Sequence, residues 1–556
     1  MSGKSDLKKW FSTGTPWVWT SAGAVSLSLL MVFGVLALIA LRGLGYFWPA
    51  DLAQIEYQLD AESKIVKVGE FHEHEMVPSI QLREAGLYLP SDDDLVKRYL
   101  FKVGNRDFYG QDFRWIIEPS IGETSYPEHL MVLERHEWGN FFGHLLQVKE
   151  SGNVVAEGDA ARAELDRRMV RSLDLHDQIK TIEKGAIGSV NYRMEKLRLA
   201  KRSLELDEVT DPAPYGRLEE AKQGLDAEYQ VLMGQLNKLY EKSKRDSITV
   251  SDSEGNQKEI SLHMIVRAYY PNSMGVFDKI GHYIAKVIEF VSADPREANT
   301  EGGIFPAIFG TVMMVMIMTV FVTPLGVVAA VYLREYAKQG PVTQMIRISV
   351  NNLAGVPSIV YGVFGLGFFV YFLGGNIDQL FFREALPAPT FGTPGILWSS
   401  LTLALLTLPV VIVATEEGLS RIPRSVREGS LALGATKAET LWRIVIPMAS
   451  PALMTGLILA VARAAGEVAP LMLVGVVKLA PSLPLDGEAP FLHLDRKFMH
   501  LGFHVYDVGF QSPNVEAARP LVYATALLLV MVIVALNLAA IAIRNHLREK
   551  YRALES

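Results

Sequence analysis

The sequence predicts a polytopic α-helical membrane protein with six transmembrane helices and a large α+β domain inserted after the first. Three observations predict it. Six apolar runs are long enough to cross a hydrocarbon layer about 30 Å thick, which takes roughly 20 helical residues. Residues 43–300, between the first run and the second, are polar and hold no such run. The lysines and arginines of the short connections gather on one side of a six-span chain. With 49% hydrophobic and only 21% charged residues over 556 positions, an ordinary soluble enzyme is excluded. A net charge of −7 gives no footprint for nucleic acid. The absence of cysteine excludes disulfides, thiolate catalysis and cysteine-ligated zinc, so an exported domain must rely on its own core.

The first apolar run, 21–41, follows Lys4, Lys8 and Lys9. It begins like a secretory signal but is too long, and no small-x-small cleavage site precedes Arg42, which predicts an uncleaved anchor. The other runs are 304–333, 354–373, 395–415, 451–477 and 520–543. Orientation follows from the basic residues. Besides the N-terminal lysines there are Arg334, Lys338 and Arg347 after span two, and Arg421, Arg424, Arg427, Lys437 and Arg443 after span four. Arg544, Arg548, Lys550 and Arg552 follow span six. With both ends inside, all four segments fall in the cytoplasm. The resulting organisation is a cytoplasmic N-terminus and first span over 1–42, a periplasmic domain over 43–300, a transmembrane domain over 301–545 and a cytoplasmic tail over 546–556. In a bacterium this places the chain in the inner membrane, multi-pass.

Within the exported block, residues 55–155 read as short strands, with alternation in Ile65-Val66-Lys67-Val68 and a mixed run from Phe113 to Ile117. Residues 159–245 read as two helices. Leu225, Tyr229, Leu232, Leu236 and Leu239 step by four and three, a coiled-coil seam, and Leu165, Met169, Ile179, Ile182, Ala186, Val190, Met194 and Leu197 form a looser stripe before it. The break falls at Asp211–Gly216, whose Asp-Pro-Ala-Pro-Tyr-Gly carries the turn residues. Each helix needs a partner for its apolar stripe, so an antiparallel hairpin is expected, either a self-packed stalk or a docking arm. Residues 274–291 form an amphipathic helix suited to a membrane surface: Val276, Phe277, Ile280, Tyr283, Ile284, Val287, Ile288 and Val291 share one face, opposite Asp278, Lys279, His282, Lys286 and Glu289.

Several motifs carry less than they suggest. Gly3-Lys4-Ser5 has the ending of a phosphate-binding loop without its upstream glycine or strand, and no other such pattern occurs, so ATP, if used, is hydrolysed by a partner. His72-Glu73-His74-Glu75 places two histidines on one strand face with no third ligand. His493, His500 and His504 share one face only if that segment is helical, and there an interfacial or docking helix competes with metal binding. No metal or cofactor site is expected on this chain.

Two constellations carry chemistry. Span five contains Arg463 near the middle of its apolar run, with Glu467 one turn on. A lone central arginine costs roughly 2.5–3.5 kcal/mol on insertion scales, so the pair must face a pathway or the bundle interior. It either pins helices together or contacts an anion, because a guanidinium matches a tetrahedral oxyanion with forked donors. The second constellation is the loop of about 416–450. It runs Arg427-Glu428-Gly429-Ser430-Leu431-Ala432-Leu433-Gly434 and on to Ile444-Val445-Ile446-Pro447.

That loop resembles the EAA loop of ABC-importer permeases, with Glu428, Gly434, Ile444 and Pro447 in register and mild departures at Gly429-Ser430 and Ile446. Residues 299–306, 352–362 and 462–470 are similar to the phosphate-specific branch, and Gly466-Glu467-Val468-Ala469-Pro470 looks more like the PstA subunit than its PstC partner. The likeness covers the first span weakly and 299–545 well, and it leaves 43–295 uncovered. It implies a type I ABC-importer permease fold, non-catalytic, forming one half of a heterodimeric pore with a PstC-like permease. It further implies two PstB-like ATPase subunits below, a periplasmic PstS-like binding protein that delivers inorganic phosphate, Arg463 and Glu467 as the intramembrane charged pair of the pathway, and Glu428, Gly434, Ile444 and Pro447 as the knob that couples to the ATPase. Gly355-Val356-Pro357 either unwinds the start of span three or kinks it. The competing readings are a permease for another oxyanion, phosphonate or sulfate, and a membrane-anchored sensor or scaffold that works through the coiled coil.

Overall fold

The computed structural model describes residues 10, 12–60, 63–90, 93–512 and 515–551. The N-terminal lysines, Gly3-Lys4-Ser5 and the tail beyond 551 lie outside the described residues. Six helices are long and apolar enough to span a membrane. In chain order they are α1 (Thr15–Gly45), then, after the extramembrane block, α6 (Phe305–Tyr336), α8 (Ser358–Phe381), α9 (Ile396–Arg421), α11 (Lys437–Gly466) and α12 (Val515–Tyr551). Their core is built from Met314, Met318 and Val322 of α6, Leu403 and Val411 of α9, and Ala460, Val461 and Ala464 of α11. Small residues set the spacing, as expected where lipid supplies no hydrophobic drive between helices. A Cβ on Gly326 would lie 2.5 Å from Val411, and one on Gly456 would lie 2.4 Å from the Ala414 side chain. The first helix is peripheral: among the spans it packs mainly on α12, where Gly43 meets the Tyr523 backbone.

Gly310 of α6 makes one of the tightest approaches to a loop, because its Cβ would stand 2.1 Å from the Met499 carbonyl oxygen. Next to it, the Thr311 hydroxyl accepts from the Leu501 backbone N–H at 2.9 Å. Gly310→Val is expected to destabilise the bundle by about 3 kcal/mol or more, because overpacking against fixed backbone has no cheap relaxation. The check is the melting temperature and yield of the purified complex, with Gly367→Val, which meets nothing within 4 Å, as the control.

The extramembrane block opens with two antiparallel sheets. The first has order β4-β3-β2-β1-β5, with β1 Ala53–Gln58, β2 Lys64–Pro78, β3 Leu95–Lys102, β4 Phe113–Ile117 and β5 Ile121–Ser125. Alternation in β1 sends Ala53, Ile55 and Tyr57 inward. The second has order β10-β9-β7-β6-β11, with β6 Met131–Arg135, β7 Phe141–Glu150, β8 Asn153–Glu157 paired to β7, β9 Asp246–Ser251, β10 Gln257–Ser261 and β11 Ile265–Tyr269. Leu52, Val68, Leu130, Val132 and Phe142 fill the space between the two.

Between β8 and β9 the chain leaves the sheets as a long hairpin. Its outgoing strand of helix is α2 (Asp159–Lys180), a π-turn at Thr181–Ile187 and α3 (Gly188–Leu206). Its returning helix is α4 (Pro212–Ser243). Leu236 and Val190 are buried in the seam. The turn differs from the sequence reading: it lies at 207–211, not 211–216. Asp211 caps α4 by accepting from the Ala213 N–H at 2.9 Å, so Pro212 and Pro214 start the helix instead of breaking it. Arg168 fixes the base, bonded to Asp246, to Glu164 at 2.7 Å and to Glu150 at 2.8 Å. Farther along, Lys196 donates to the Ala489 carbonyl and Tyr192 to the same oxygen at 3.0 Å, beside Ser189–Glu488, and α3 also touches residues 383–385. The arm therefore rests on the loops that join spans three to four and five to six.

The amphipathic helix α5 (Val276–Ser292) is turned in an informative way. Its charged side faces the protein, with Lys279 on Asp51, Lys286 on Glu134 and Glu289 on Arg267 and Arg296. Tyr283, Val287 and Val291 pack on the bundle near Phe47 and Ile304. Phe277, Ile280, Ile284 and Ile288 stay exposed as an apolar stripe.

Candidate functional site

The apolar run 451–477 does not form one helix. The long helix stops at Gly466, Glu467 is its extended C-cap, Leu471–Val474 makes a single turn, and the chain stays irregular to His500. The reason is local: Gly466 favours an end, and Pro470 biases Ala469 away from helix. Arg463 therefore sits in the last turn of α11, not in its middle. A cation is favoured there by the unpaired carbonyls and the negative pole of the helix. The Arg463 Nε lies 3.6 Å from Glu467 Oε1, an ion pair longer than a hydrogen bond. Their side chains are 35% and 22% exposed, so the guanidinium keeps donors free for a ligand.

A second break faces the first. Helix α7 (Pro341–Leu353) ends before residues 354–357, and α8 restarts at Ser358 after Pro357. Gly355-Val356-Pro357 thus separates two helices, and span three begins four residues later than the apolar run. The Tyr361 hydroxyl reaches back across the gap to the Leu353 carbonyl at 2.6 Å, within electrostatic reach of Arg463. A Cβ on Gly362 would stand 2.7 Å from Pro470 Cα, which brings the two interruptions together. Paired broken helices near a charged side chain are the construction by which transporters expose backbone and side-chain polar groups to a substrate.

The loop after span four forms a knob. Helix α10 (Arg424–Ala432) carries Glu428 on its exposed side. Leu433 is 91% exposed at the tip, with Leu431 and Trp442 also bare. Gly434 turns the chain at φ +87° with nothing near its absent Cβ, so the glycine is required by backbone conformation and not by space. The Thr436–Glu439 capping box then starts α11. Ile444 is half-buried within a π-turn, and half-buried Pro447 follows it. The base is tied down. Arg427 donates to the carbonyls of Ile422 at 2.8 Å and Leu419 at 2.7 Å and pairs with Glu335 at 3.0 Å. Ser430 and Thr440 share a hydrogen bond of 2.9 Å.

Sequence reasoning passed over Arg427 and Glu335 as partners, the exposed Leu433 and Trp442, and a second arginine–carboxylate pair. That pair is Arg347 of α7 with Glu416 of α9 at 2.6 Å, beside a cavity of about 240 Å³. Glu335 and the Glu416-Glu417 pair, set beside otherwise basic segments, were the available signal. The three late histidines do not share a helical face, because that helix starts at Leu501. His493 pairs with Asp486 at 2.9 Å, His500 caps the helix, and His504 is buried within it. His72 sits at a bulge in the β2–β3 pairing, and His74 tilts against Tyr99.

Comparison with known proteins bears on this geometry. Residues 322–553 match the family described as the binding-protein-dependent transport system inner membrane component. The phosphate transport system permease protein PstA 1 of Mycobacterium tuberculosis is 36% identical over 244 residues, 44% of this chain and 71% of that one. A probable ABC transporter permease of Bacillus subtilis is 31% identical over 257 residues, 45% of this chain and 81% of that one. Among solved structures, the inward-facing MetNI methionine ABC transporter matches 43% of this chain and 94% of its own at 17% identity, with a TM-score of 0.32, a likeness on which nothing rests. The spans, the family match and these relatives agree: the chain belongs to the binding-protein-dependent permeases, as an ABC-importer permease subunit of the PstA type with the type I importer fold.

Proposed function

We propose that this chain is the transmembrane permease subunit of an ATP-driven importer of inorganic phosphate. The reading is carried by the Arg463 guanidinium, paired too loosely with Glu467 to be saturated and placed where two broken helices meet. The PstA relatives, named as phosphate transport permeases, supply the choice of phosphate among tetrahedral oxyanions. In this reading Arg463 receives the anion and Glu467 holds the guanidinium between cycles. The knob of Glu428, Gly434, Ile444 and Pro447, with Leu433 at its tip, seats in a separate cytoplasmic ATPase, so the chain itself catalyses nothing. A PstC-like permease completes the pathway, two PstB-like subunits hydrolyse ATP, and a PstS-like protein delivers phosphate. Both termini are cytoplasmic, and residues 43–300 stand in the periplasm of a bacterial inner membrane, as the basic connections imply.

The test is uptake of labelled phosphate, sulfate and a phosphonate in cells with and without this chain, its partners being present throughout. Loss of phosphate uptake alone is the expected result. Loss of sulfate or phosphonate uptake with phosphate untouched would reassign the substrate.

A further inference from the structure

A cavity of about 390 Å³ lies where α1, α12, α5 and the first sheet meet, within the size range of small-molecule sites. Its charged lining is balanced overall but not locally. At the mouth, Arg42 near the end of α1 and Arg519 near the start of α12 both pair with the one carboxylate of Glu73, each at 3.2 Å, leaving one positive charge in excess. Farther in, Lys286 and Arg296 are matched by Glu134 and Glu289. Glu70 and Glu301 remain, with Lys102 as the one further cation of the lining. Among the described residues, nothing lies within hydrogen-bond or ion-pair distance of these three side-chain heads. The inner end therefore has one negative charge in excess.

The local fields agree. Burial holds Glu70 and Glu301 above the ordinary carboxylate range. Burial alone would lower Lys102, but Glu70, Glu301, Asp112 and Glu134 outweigh it and hold the ammonium above its usual value. The lining histidines His72 and His282, pushed down to about 4 by burial, add no charge near neutrality. Tyr46, Trp48 and Tyr269 supply aromatic surface to the same space.

The mouth opens between the charged ends of two apolar helices, where long basic side chains near helix ends reach the membrane interface. The exposed stripe of α5, Phe277 to Ile288, flanks it. We propose that this cavity binds the headgroup of a phospholipid with a primary ammonium, of the phosphatidylethanolamine class, drawn from the leaflet on the side of the β domain. The ammonium donates to Glu70 and Glu301, and the phosphate lies against Arg42 and Arg519. Glu73 also faces that phosphate, but it is occupied by both arginines. The lipid thereby joins the first and last spans to the extramembrane domain.

The assembled transporter is reconstituted in nanodiscs of phosphatidylglycerol alone, with added phosphatidylethanolamine, and with added phosphatidylcholine, whose trimethylated nitrogen has no N–H to donate. A higher melting temperature with phosphatidylethanolamine only is expected, and Glu70→Gln with Glu301→Gln abolishes that shift, read against the double variant's own value in phosphatidylglycerol. An equal shift with phosphatidylcholine, or one that survives the double substitution, overturns the proposal. Soluble phosphoethanolamine reproducing the full shift in phosphatidylglycerol would overturn the lipid as its source. Lipid retained by the wild-type complex, counted by native mass spectrometry, reads the same site without substitutions: enrichment of phosphatidylethanolamine over its share of the membrane supports it, and no enrichment overturns it.

Discussion

Arg463→Gln is expected to lower phosphate uptake, normalised to assembled complex, by about tenfold to a hundredfold. A charge-assisted hydrogen bond is worth about 1.5–3 kcal/mol, and each 1.4 kcal/mol is a factor of ten. Assembly is expected to survive. A partly exposed pair at 3.6 Å contributes about 0–1 kcal/mol to stability, so the bundle does not depend on it. Arg463→Lys keeps the charge at the helix end but loses the planar fork, and it should be impaired as well. A pair that merely pins helices behaves the other way, with lysine working well and glutamine depleting the complex from the membrane. Uptake and complex abundance, measured together, separate the two. Near-normal normalised uptake by Arg463→Gln would remove the pair from the pathway.

Substitution of the knob should uncouple the transporter without unfolding it. At φ +87° a β-branched residue is strained by at least about 1–2 kcal/mol, so Gly434→Val must rotate the tip. The base stays in place because Arg427, Glu335, Ser430 and Thr440 hold it from below the tip. Leu433→Asp leaves the backbone alone and places a charge where a fully exposed leucine presents its apolar surface. Glu428→Arg replaces the acid on the exposed side of α10 with a second cation beside Arg424. In all three, ATP hydrolysis by the purified complex should lose its stimulation by substrate-loaded binding protein, and Leu433→Asp should also retain less ATPase through purification. Wild-type stimulation in Gly434→Val and Leu433→Asp would separate the loop from coupling.

Much of this was legible in the sequence because it is periodic or local. The six spans follow from apolar length, the hairpin from the Leu225–Leu239 seam, and the Arg463–Glu467 contact from helical spacing. What was not legible depends on where helices end and on contacts between distant segments. The stop at Gly466 is hidden inside the apolar run 451–477, where Gly466 and Pro470 mark it. The prolines at 212 and 214 look like breakers, yet the cap at Asp211 makes them starters. The inward charges of α5 meet Asp51 and Glu134, residues that no periodicity connects to it. Likewise the Arg427–Glu335 pair joins segments on either side of two spans.

The helical arm is held at its root by Arg168 and Asp246, and it is touched part-way along by Glu488 and Ala489, with its turn at 207–211 projecting past that contact. Mechanically this is a lever with a fulcrum. Were the span-five-to-six loop to shift against the β domain, it would bear on the arm at Tyr192 and Lys196, and the turn beyond would travel through a wider arc than the loop. Because Tyr192 and Lys196 lie about two thirds of the way from the root to the turn, a displacement of that loop would be magnified modestly at the turn, where distance probes would read it.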